Sequence, residues 1–306
     1  MMKSDPEDLG RPAASYDGPP LHQGLHEVAE HYDAFVCDLW GVLHDGVRAF
    51  PAAVACLREF RQRSKRILVL SNAPRRASEV ESRMNELGIG PALYDHVLSS
   101  GEIAWRHLKQ RPDAFYRSLG DRCFHLGPDR DNGMREGLDL TFVERIADAD
   151  FVLNTGAHMP EDTVETYGHE LEEAAGRHLP MVCANPDLEV IRGGRREICA
   201  GKLAERYEAL GGRVRYHGKP HPDVYEVCLA QLGGIDPSRV AAIGDSLRTD
   251  IAGAEAAGID GLLILGGIHA EALGLDEQGR PAPGRLAGLC VNYGTRPTGA
   301  FPFMVW

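Results

Sequence analysis

Residues 34–43 read Ala-Phe-Val-Cys-Asp-Leu-Trp-Gly-Val-Leu, and this stretch decides which fold the chain adopts. Its first four residues form a continuous apolar run, typical of a strand that is buried on both faces of a parallel sheet. Asp38 follows at the end of that strand, and Gly41 then lets the backbone approach a ligand. A carboxylate in this place suits a nucleophile or a metal ligand. The alternative is that Asp38 only caps a turn.

Apolar runs of the same kind recur along the chain, and amphipathic helical patterns separate them. This alternation predicts an α/β fold with a Rossmann-like parallel sheet flanked by helices. Helical patterns at 78–87 and 223–232 both stop just before a glycine, which is a common helix end. Residues 128–137 and 274–287 are rich in turn formers and are predicted to be loops. The predicted strands are Ala34–Cys37, Ile67–Leu70, Phe151–Leu153, Met181–Cys183, Val240–Ile243 and Leu262–Leu265.

Two short polar segments carry groups that suit phosphate chemistry. Ser71, Asn72 and Ala73 follow the strand at 67–70, where a hydroxyl and two backbone amides could hold a phosphate oxygen at a helix start. The same residues also make a generic turn or helix cap. Lys219 stands before a proline and is a rigid point charge that can neutralise both a carboxylate and a phosphoryl group. An isolated lysine is more often a surface residue.

A pair of acids follows the strand at 240–243. Asp245 and Asp250 lie about one helical turn apart at a strand-to-helix junction, where two carboxylates can hold a hard cation such as Mg²⁺. Such pairs also occur simply as helix N-caps. In an open α/β sheet, ligands bind at the carboxyl ends of the strands. We therefore expect Asp38, Ser71, Lys219 and Asp245 to converge on one cleft.

The order of these segments resembles the four-motif signature of the haloacid dehalogenase superfamily. The match extends over residues 30–270 and is best for subclass IIA, the group with nitrophenyl phosphatase-like and pyridoxal-phosphatase-like enzymes. It includes Gly-Val-Leu after Asp38, the Ser71-Asn72 pair, Gly-Lys-Pro at 218–220 and Gly-Asp-x-x-x-Thr-Asp at 244–250. Asn185-Pro186-Asp187 matches a further feature of the family.

The resemblance implies a role for each matched residue. Asp38 would attack phosphorus to form an aspartyl-phosphate, which water then hydrolyses, while Lys219 offsets charge at the nucleophile. Mg²⁺ would be held by Asp38, the carbonyl of Trp40 and Asp245, with Asp250 orienting Asp245 or a metal-bound water. Ser71 would grip the transferring oxygens. The expected substrate-binding residues are Asn72, Ala73, Gly41, Asn185 and Asp187.

The spacing of the motifs predicts where a cap domain is inserted. Asp38 and Ser71 are only 33 positions apart, whereas Ser71 and Lys219 are 148 positions apart, so the insertion lies in the second interval as in subclass II. Strands near 122–127, 150–154 and 180–184 and a helical stretch at 161–178 predict an α/β cap. By resemblance, that cap excludes solvent and sets substrate choice. The predicted divisions are a disordered leader (1–25), core (26–112), cap (113–205) and core (206–306).

Trp40 departs from the family pattern. Phosphatases of this superfamily normally carry a second aspartate two residues after the nucleophile, as the general acid and base. Indole cannot transfer a proton usefully at neutral pH, and general acid–base catalysis typically contributes about 10² to 10⁴ in rate. The nearby His44 and Asp45 are candidates for the missing proton transfer. Both also fit a simple turn before Gly46.

Three functions remain open on these residues. The first is a Mg²⁺-dependent phosphatase or phosphotransferase that acts on a small phosphorylated metabolite. The second is a non-phosphatase activity, since dehalogenases of the superfamily also have an aromatic residue at the position of Trp40 and use no metal. Those enzymes, however, insert the cap directly after the first motif and lack the metal segment at 244–250. The third is a binding or regulatory protein that has lost turnover.

Composition narrows the partners. A net charge of −12 argues against nucleic acid, which demands clustered basic residues. No apolar run approaches the roughly 18 residues of a membrane-spanning helix. The seven cysteines are scattered and include no Cys-x-x-Cys pair, which favours buried thiols in a reducing cytoplasm. We expect a cytoplasmic enzyme with a small-molecule partner, and a homodimer would fit the subclass.

Overall fold

The computed structural model describes residues 17–306, whose strands alternate with helices along the chain. The strands are β1 Ala34–Cys37, β2 Arg66–Ser71, β3 His96–Ser99, β4 Arg122–Leu126, β5 Thr141–Val143, β6 Phe151–Asn154, β7 Pro180–Cys183, β8 Glu189–Arg192, β9 Arg195–Ile198, β10 Arg213–Tyr216, β11 Val240–Gly244, β12 Asp260–Ile264 and β13 Gly299–Phe301. The α-helices are α1 Pro51–Gln62, α2 Ala77–Glu86, α3 Ser100–Gln110, α4 Ala114–Arg117, α5 Gly168–Gly176, α6 Ala200–Ala209, α7 Pro222–Gln231, α8 Ala252–Ala257, α9 Ala270–Leu273 and α10 Arg285–Tyr293.

The first sheet has six parallel strands in the order β13-β12-β11-β1-β2-β3. Its central strands β1 and β11 are buried along their whole length, as their continuous apolar runs predict. Phe35 packs on one face with Phe60 of α1, their ring centroids 4.1 Å apart. Val36 faces the opposite side, in a cluster with Val224 of α7. Helices therefore cover both faces, and the expected α/β Rossmann-like core is the observed fold.

The second sheet has five parallel strands in the order β10-β7-β6-β4-β5. All of them lie between β3 and β11 in sequence, so this sheet is an insertion into the first. Apolar clusters pack on it, one with Tyr207 of α6 and another with Tyr116 of α4. Because β10 ends at Tyr216, the sheet runs past residue 205, where the sequence placed the end of the cap. A separate antiparallel hairpin of β8 and β9 follows β7.

Several segments differ from expectation. Of the predicted leader, residues 1–16 lie outside the described part of the chain. Residues 17–25 are ordered against the C-terminal segment, since the amide of Leu25 donates to the carbonyl of Val305 at 2.8 Å and the Leu25 side chain is fully buried. The predicted loop at 128–137 contains a 3-10 helix at Asp129–Arg135, which buries Met134. In the predicted helical stretch 161–178, α5 begins only at Gly168, after a 3-10 turn at Val164–Tyr167.

Adjacent strands of the first sheet place the site. The carboxyl ends of β1, β2 and β11 point to one edge of the sheet, so the residues after them lie side by side. After β11 the chain forms a π-helical turn at Leu247–Ile251 and then continues into α8. Among residues 17–306, no helix is long and apolar enough to cross a membrane.

Candidate active site

Three carboxylates meet at this edge of the sheet. Asp38 follows β1, and Asp245 and Asp250 follow β11; one oxygen from each lies within 4.8 Å of the others. All three residues are buried. Burial raises the pKa of both Asp38 and Asp245. Repulsion from Asp250 raises the pKa of Asp38 further, and repulsion from Asp38 and Asp250 raises that of Asp245. An all-oxygen set of this kind fits a hard divalent cation, which would offset the crowded negative charge.

Lys219 is the cation that the chain itself supplies to this cluster. Its Nζ donates to Asp38 Oδ1 at 2.5 Å, to Asp250 Oδ1 at 2.7 Å and to the carbonyl of Leu70 at 3.0 Å. Burial alone would lower the pKa of Lys219, but the carboxylates of Asp250 and Asp38 hold it well above its usual value. Lys219 therefore stays charged, and one positive charge faces three carboxyl groups.

Asp250 was expected to orient Asp245 or a metal-bound water, and it lies beside Asp245, but its hydrogen bonds are to other groups. It bonds to Lys219 and accepts from the amide of Ser246 at 3.1 Å, which ties the turn after β11 to the lysine. Asp245 Oδ2 instead accepts from the amide of Ile268 at 2.7 Å. Asp250 thus positions Lys219 and the turn, while Asp245 keeps an oxygen for a cation.

Three glycines leave the space that these carboxylates occupy. A Cβ added at Gly41, where φ is +74°, would overlap Asp245 Oδ2. An added Cβ at Gly267 would meet the same oxygen, and one at Gly244 would overlap the carboxyl carbon of Asp250. Gly41 was expected to bring backbone close to a substrate. The structure shows that it also makes room for a carboxylate of the proposed metal site.

Ser71 and Asn72, at the end of β2, make different hydrogen bonds through a hydroxyl and a side-chain amide. Ser71 Oγ accepts from the backbone amide of Ala73 at 3.2 Å. Asn72 was expected to bind substrate, but its side chain brackets the backbone of Lys219: Oδ1 accepts from the amide at 2.8 Å and Nδ2 donates to the carbonyl at 3.1 Å. Nδ2 also donates to Asp187 at 2.9 Å. Asn72 therefore holds the backbone of Lys219 in place, from which the Lys219 side chain extends to Asp38.

The residues to which the resemblance assigns a site role all line one cavity of about 390 Å³ between the two sheets. The first sheet contributes its catalytic edge, and the inserted part contributes the opposite wall. Asn185 and Asp187 belong to the segment after β7, which contacts the first sheet. The amide of Asp187 donates to Asn185 Oδ1 at 2.9 Å. Burial raises the pKa of Asp187. The site residues expected from sequence that line the cavity are Asp38, Trp40, Gly41, Ser71, Asn72, Ala73, Asn185, Asp187, Lys219, Asp245 and Asp250.

Neither candidate for the missing proton transfer is well placed. His44 is 2% exposed, is not among the residues that line the cavity, and accepts the Gly46 amide at Nδ1. Burial lowers the pKa of His44 to about 4. Asp45 lines the cavity, but its Oδ1 accepts the amides of Val47 and Arg48, and these bonds hold its pKa low despite the opposing effect of burial. Both side chains therefore stabilise the turn after Trp40.

The sequence analysis missed three arginines that line the cavity. Arg75 comes from the segment after β2, and Arg130 and Arg192 come from the insertion. Arg75 donates to Asp131 at 2.6 Å, and Arg192 lies over the Trp40 ring at 4.7 Å. The Arg-Arg pair at 75–76 directly after Ser71–Pro74 was the available signal. Arg130 and Arg192 gave none, because only the packing of the two sheets brings them to the cavity.

Comparison with known proteins agrees with this geometry. A family model described as haloacid dehalogenase-like hydrolase matches residues 35–141, and one described as HAD-hydrolase-like matches residues 216–285. Chronophin from Homo sapiens is 31% identical over 263 residues, which cover 80% of this chain and 84% of chronophin.

Solved structures extend the likeness to nearly the whole chain. A haloacid dehalogenase-like hydrolase from Brucella suis 1330 is 34% identical, with a TM-score of 0.80, and the match covers 93% of this chain and 100% of that one. A glycerol phosphate phosphatase from Mycobacterium tuberculosis, solved with magnesium, is 26% identical with a TM-score of 0.61, covering 83% of this chain and 74% of that one. The chain belongs to the haloacid dehalogenase-like hydrolases, in subclass IIA, and is a phosphatase-type hydrolase of that family.

Proposed function

We propose that the protein is a Mg²⁺-dependent phosphatase that acts on a small phosphorylated metabolite through a covalent intermediate on Asp38. This proposal rests on one observation. Asp38, Asp245 and Asp250 form a buried cluster with Lys219 at the ends of adjacent strands. Its named relatives include phosphatases, and one of them was solved with magnesium.

The chemistry at Asp38 has two displacements at phosphorus. A carboxylate oxygen of Asp38 attacks the phosphorus, and the bond from phosphorus to the leaving oxygen breaks. Water then attacks the phosphorus of the aspartyl-phosphate, which releases inorganic phosphate and restores the carboxylate. Lys219 holds one Asp38 oxygen in place and offsets charge on the transferring group.

The carboxylates of Asp38 and Asp245 and the carbonyl of Trp40 would hold Mg²⁺. When bound, the ion supplies positive charge that lets Asp38 and a phosphate group approach each other. Asp250 keeps Lys219 and the Ser246 turn in place, and Ser71 offers its hydroxyl to a phosphoryl oxygen. The Trp40 carbonyl does not depend on the nature of its side chain, so this role survives the loss of the usual aspartate.

We also propose that the inserted sheet acts as the cap of this site. The segments that follow its strands β4, β6 and β7, together with the hairpin of β8 and β9, supply one wall of the cavity. Ser100 Oγ fixes the segment after β7 to the core by donating to the carbonyl of Ala184 at 2.5 Å. A wall of this kind excludes water from the phosphoryl transfer and restricts the size of the substrate.

Hydrolysis of 4-nitrophenyl phosphate by the full chain tests the proposal. We expect turnover with Mg²⁺, loss of turnover with a chelator, and a phosphorylated Asp38 peptide after acid quenching. Asp38→Asn should abolish both signals, whereas Asp33→Asn, which alters an exposed carboxylate paired with Arg239, should leave them unchanged. Mg²⁺ binding without phosphorylated Asp38 would identify a binding protein instead, and turnover that survives chelation would favour the metal-free alternative.

A further inference from the structure

The charge of the cavity is uneven. At its catalytic end, three carboxylates face one lysine. At the side formed with the insertion, Arg75 of the segment after β2 and Arg130 and Arg192 of the insertion line the cavity. The two acids next to them are already engaged, Asp131 with Arg75 at 2.6 Å and Glu197 with Arg192 at 3.1 Å. One positive charge is therefore left over at this end.

That charge is on Arg130. Within residues 17–306, its guanidinium makes no hydrogen bond, ion pair or ring contact, although it interacts electrostatically with Asp131, Arg75, Arg192 and Glu197. Two of those four neighbours are themselves arginines, which makes its surroundings less favourable for a cation. Arg130 is exposed towards the cavity; partial desolvation and the two arginines lower its pKa, but its guanidinium remains charged at neutral pH. An anionic ligand group would relieve the repulsion.

The 3-10 helix Asp129–Arg135 holds Arg130 in this place. Its neighbour Asp131 is 1% exposed and bonds to Arg75, which lies four residues after Ser71 in the phosphate-binding segment. The Arg75–Asp131 bond thus connects the phosphate-binding end to the wall that carries Arg130. A molecule that places its phosphate near Ser71 and extends towards the inserted side of the cavity can reach Arg130.

Resting on the phosphatase function proposed above, we infer that the substrate carries a second anionic group, such as a carboxylate, which Arg130 binds at the end away from the scissile phosphate. A planar guanidinium presents paired donors that match a carboxylate. The substrate class is therefore a small phosphorylated acid rather than a neutral phosphorylated alcohol. Arg130 is a residue for substrate recognition and takes no part in the transfer itself.

A matched pair of aryl phosphates tests this inference. 4-Carboxyphenyl phosphate and 4-carbamoylphenyl phosphate have similar shapes and leaving groups but differ in charge at the far end. We expect kcat/KM to favour the carboxylate by about tenfold, the scale of one charge-assisted contact. Arg130→Gln should reduce this preference to about one, whereas Arg135→Gln, on the same 3-10 helix but stacked on Phe142, should keep it.

Binding to the Asp38→Asn chain separates this inference from the proposed activity. Dissociation constants for the two compounds, measured by calorimetry, should show the same tenfold preference and the same loss in the Asp38→Asn, Arg130→Gln double variant. Equal affinities, or a preference that survives Arg130→Gln, would overturn the inference. If the wild-type chain hydrolyses neither compound while the binding preference holds, the proposed function fails and the anion site stands.

Discussion

Trp40 is a packing residue at the position where phosphatases of the family normally carry an aspartate. Its ring lies over Gly46, where an added Cβ would overlap the indole, and meets His44 edge-on with centroids 4.9 Å apart. Arg192 covers the ring from the inserted hairpin at 4.7 Å. The position that normally donates a proton to the leaving group therefore links the turn after β1 to the hairpin. His44 and Asp45 both accept backbone amides of the same turn instead.

The absence of an acid at Trp40 predicts a dependence on the leaving group. An alkyl phosphate must expel an unprotonated alkoxide, whereas nitrophenyl phosphate or an acyl phosphate needs no such help. We expect Mg²⁺-dependent turnover of activated phosphates and much slower turnover of alkyl phosphates. Trp40→Asp should accelerate alkyl phosphates by about tenfold or more, measured as kcat/KM.

The smaller aspartate also removes the indole from its packing on Gly46, so folding of the Trp40→Asp variant is checked first by its melting temperature. Wild-type rates that are equal for alkyl and activated phosphates would show that another group supplies the proton. The argument from Trp40 would then be wrong.

Gly41 sets the distance between the turn after Asp38 and Asp245. A Cβ at this residue would overlap Asp245 Oδ2, so Gly41→Ala should displace a carboxylate of the proposed metal site. We expect a loss of about 10- to 100-fold in Mg²⁺ affinity, measured by titrating activity with Mg²⁺. Gly88→Ala is the matched control, because Gly88 has φ of +84° and no atom within 4 Å of an added Cβ. An equal loss in both variants would mean that backbone strain, and not the overlap, is responsible.

At the scale of elements, burial decides what the sequence could predict. The strands β1, β2 and β11 are continuous apolar runs inside the sheet, and their ends correctly placed Asp38, Ser71 and Asp245 together. The hairpin β8–β9 was missed because its residues, apart from the buried Glu197, are half-buried or exposed and include several charged side chains, so neither a continuous nor an alternating apolar pattern appears. The bracketing of Lys219 by Asn72 was also missed, since it joins residues 147 positions apart.

The hairpin β8–β9 is held against the core at two points. The amide of Gly193 donates to the carbonyl of Asp45 at 3.2 Å, and Arg192 lies over Trp40. Because a partly exposed cation–π contact contributes about 0.5–1 kcal/mol, we expect Arg192→Ala to raise KM roughly two- to fivefold with little change in kcat. Cleavage near Gly193 in limited proteolysis should also become faster.

Arg195→Ala is the control for the hairpin, because Arg195 lies on the same element and pairs only with Glu161, at 3.8 Å. It should leave KM and the cleavage rate unchanged. If Arg195→Ala and Arg192→Ala behave alike, the contact with Trp40 does not hold the hairpin.

At the scale of the whole molecule, the site lies where two separately packed sheets meet. Hydrogen bonds hold the segment after β7 against the first sheet. They join Asn72 to Asp187, Ser100 to the carbonyl of Ala184, and Arg248 to the carbonyl of Pro186. These long-range contacts set which inserted residues face the catalytic edge. Motif spacing predicted the insertion, but only packing places Arg130 and Arg192 on the cavity wall.

Burying several carboxylates in one place has a consequence for the stability of the whole chain. Asp38 has its pKa raised from 3.8 to about 7 by burial, and Asp245 is raised as well, so both bind protons more tightly in the folded chain than in the unfolded one. Between about pH 4 and pH 7 these two carboxyl groups hold more protons in the folded chain, and without metal their contribution to the free energy of unfolding falls as pH rises through this range.

Mg²⁺ binds the deprotonated carboxylates, so it should stabilise the chain more at pH 8 than at pH 6, where protons compete for Asp38 and Asp245. We expect saturating Mg²⁺ to raise the melting temperature by roughly 5 °C at pH 8 and by clearly less at pH 6. Asp38→Asn removes one of the two carboxylate ligands and should lose most of the gain at pH 8, while Asp33→Asn should keep it. A gain that is the same at both pH values, or that survives in Asp38→Asn, would show that Mg²⁺ stabilises the chain from somewhere other than this carboxylate cluster.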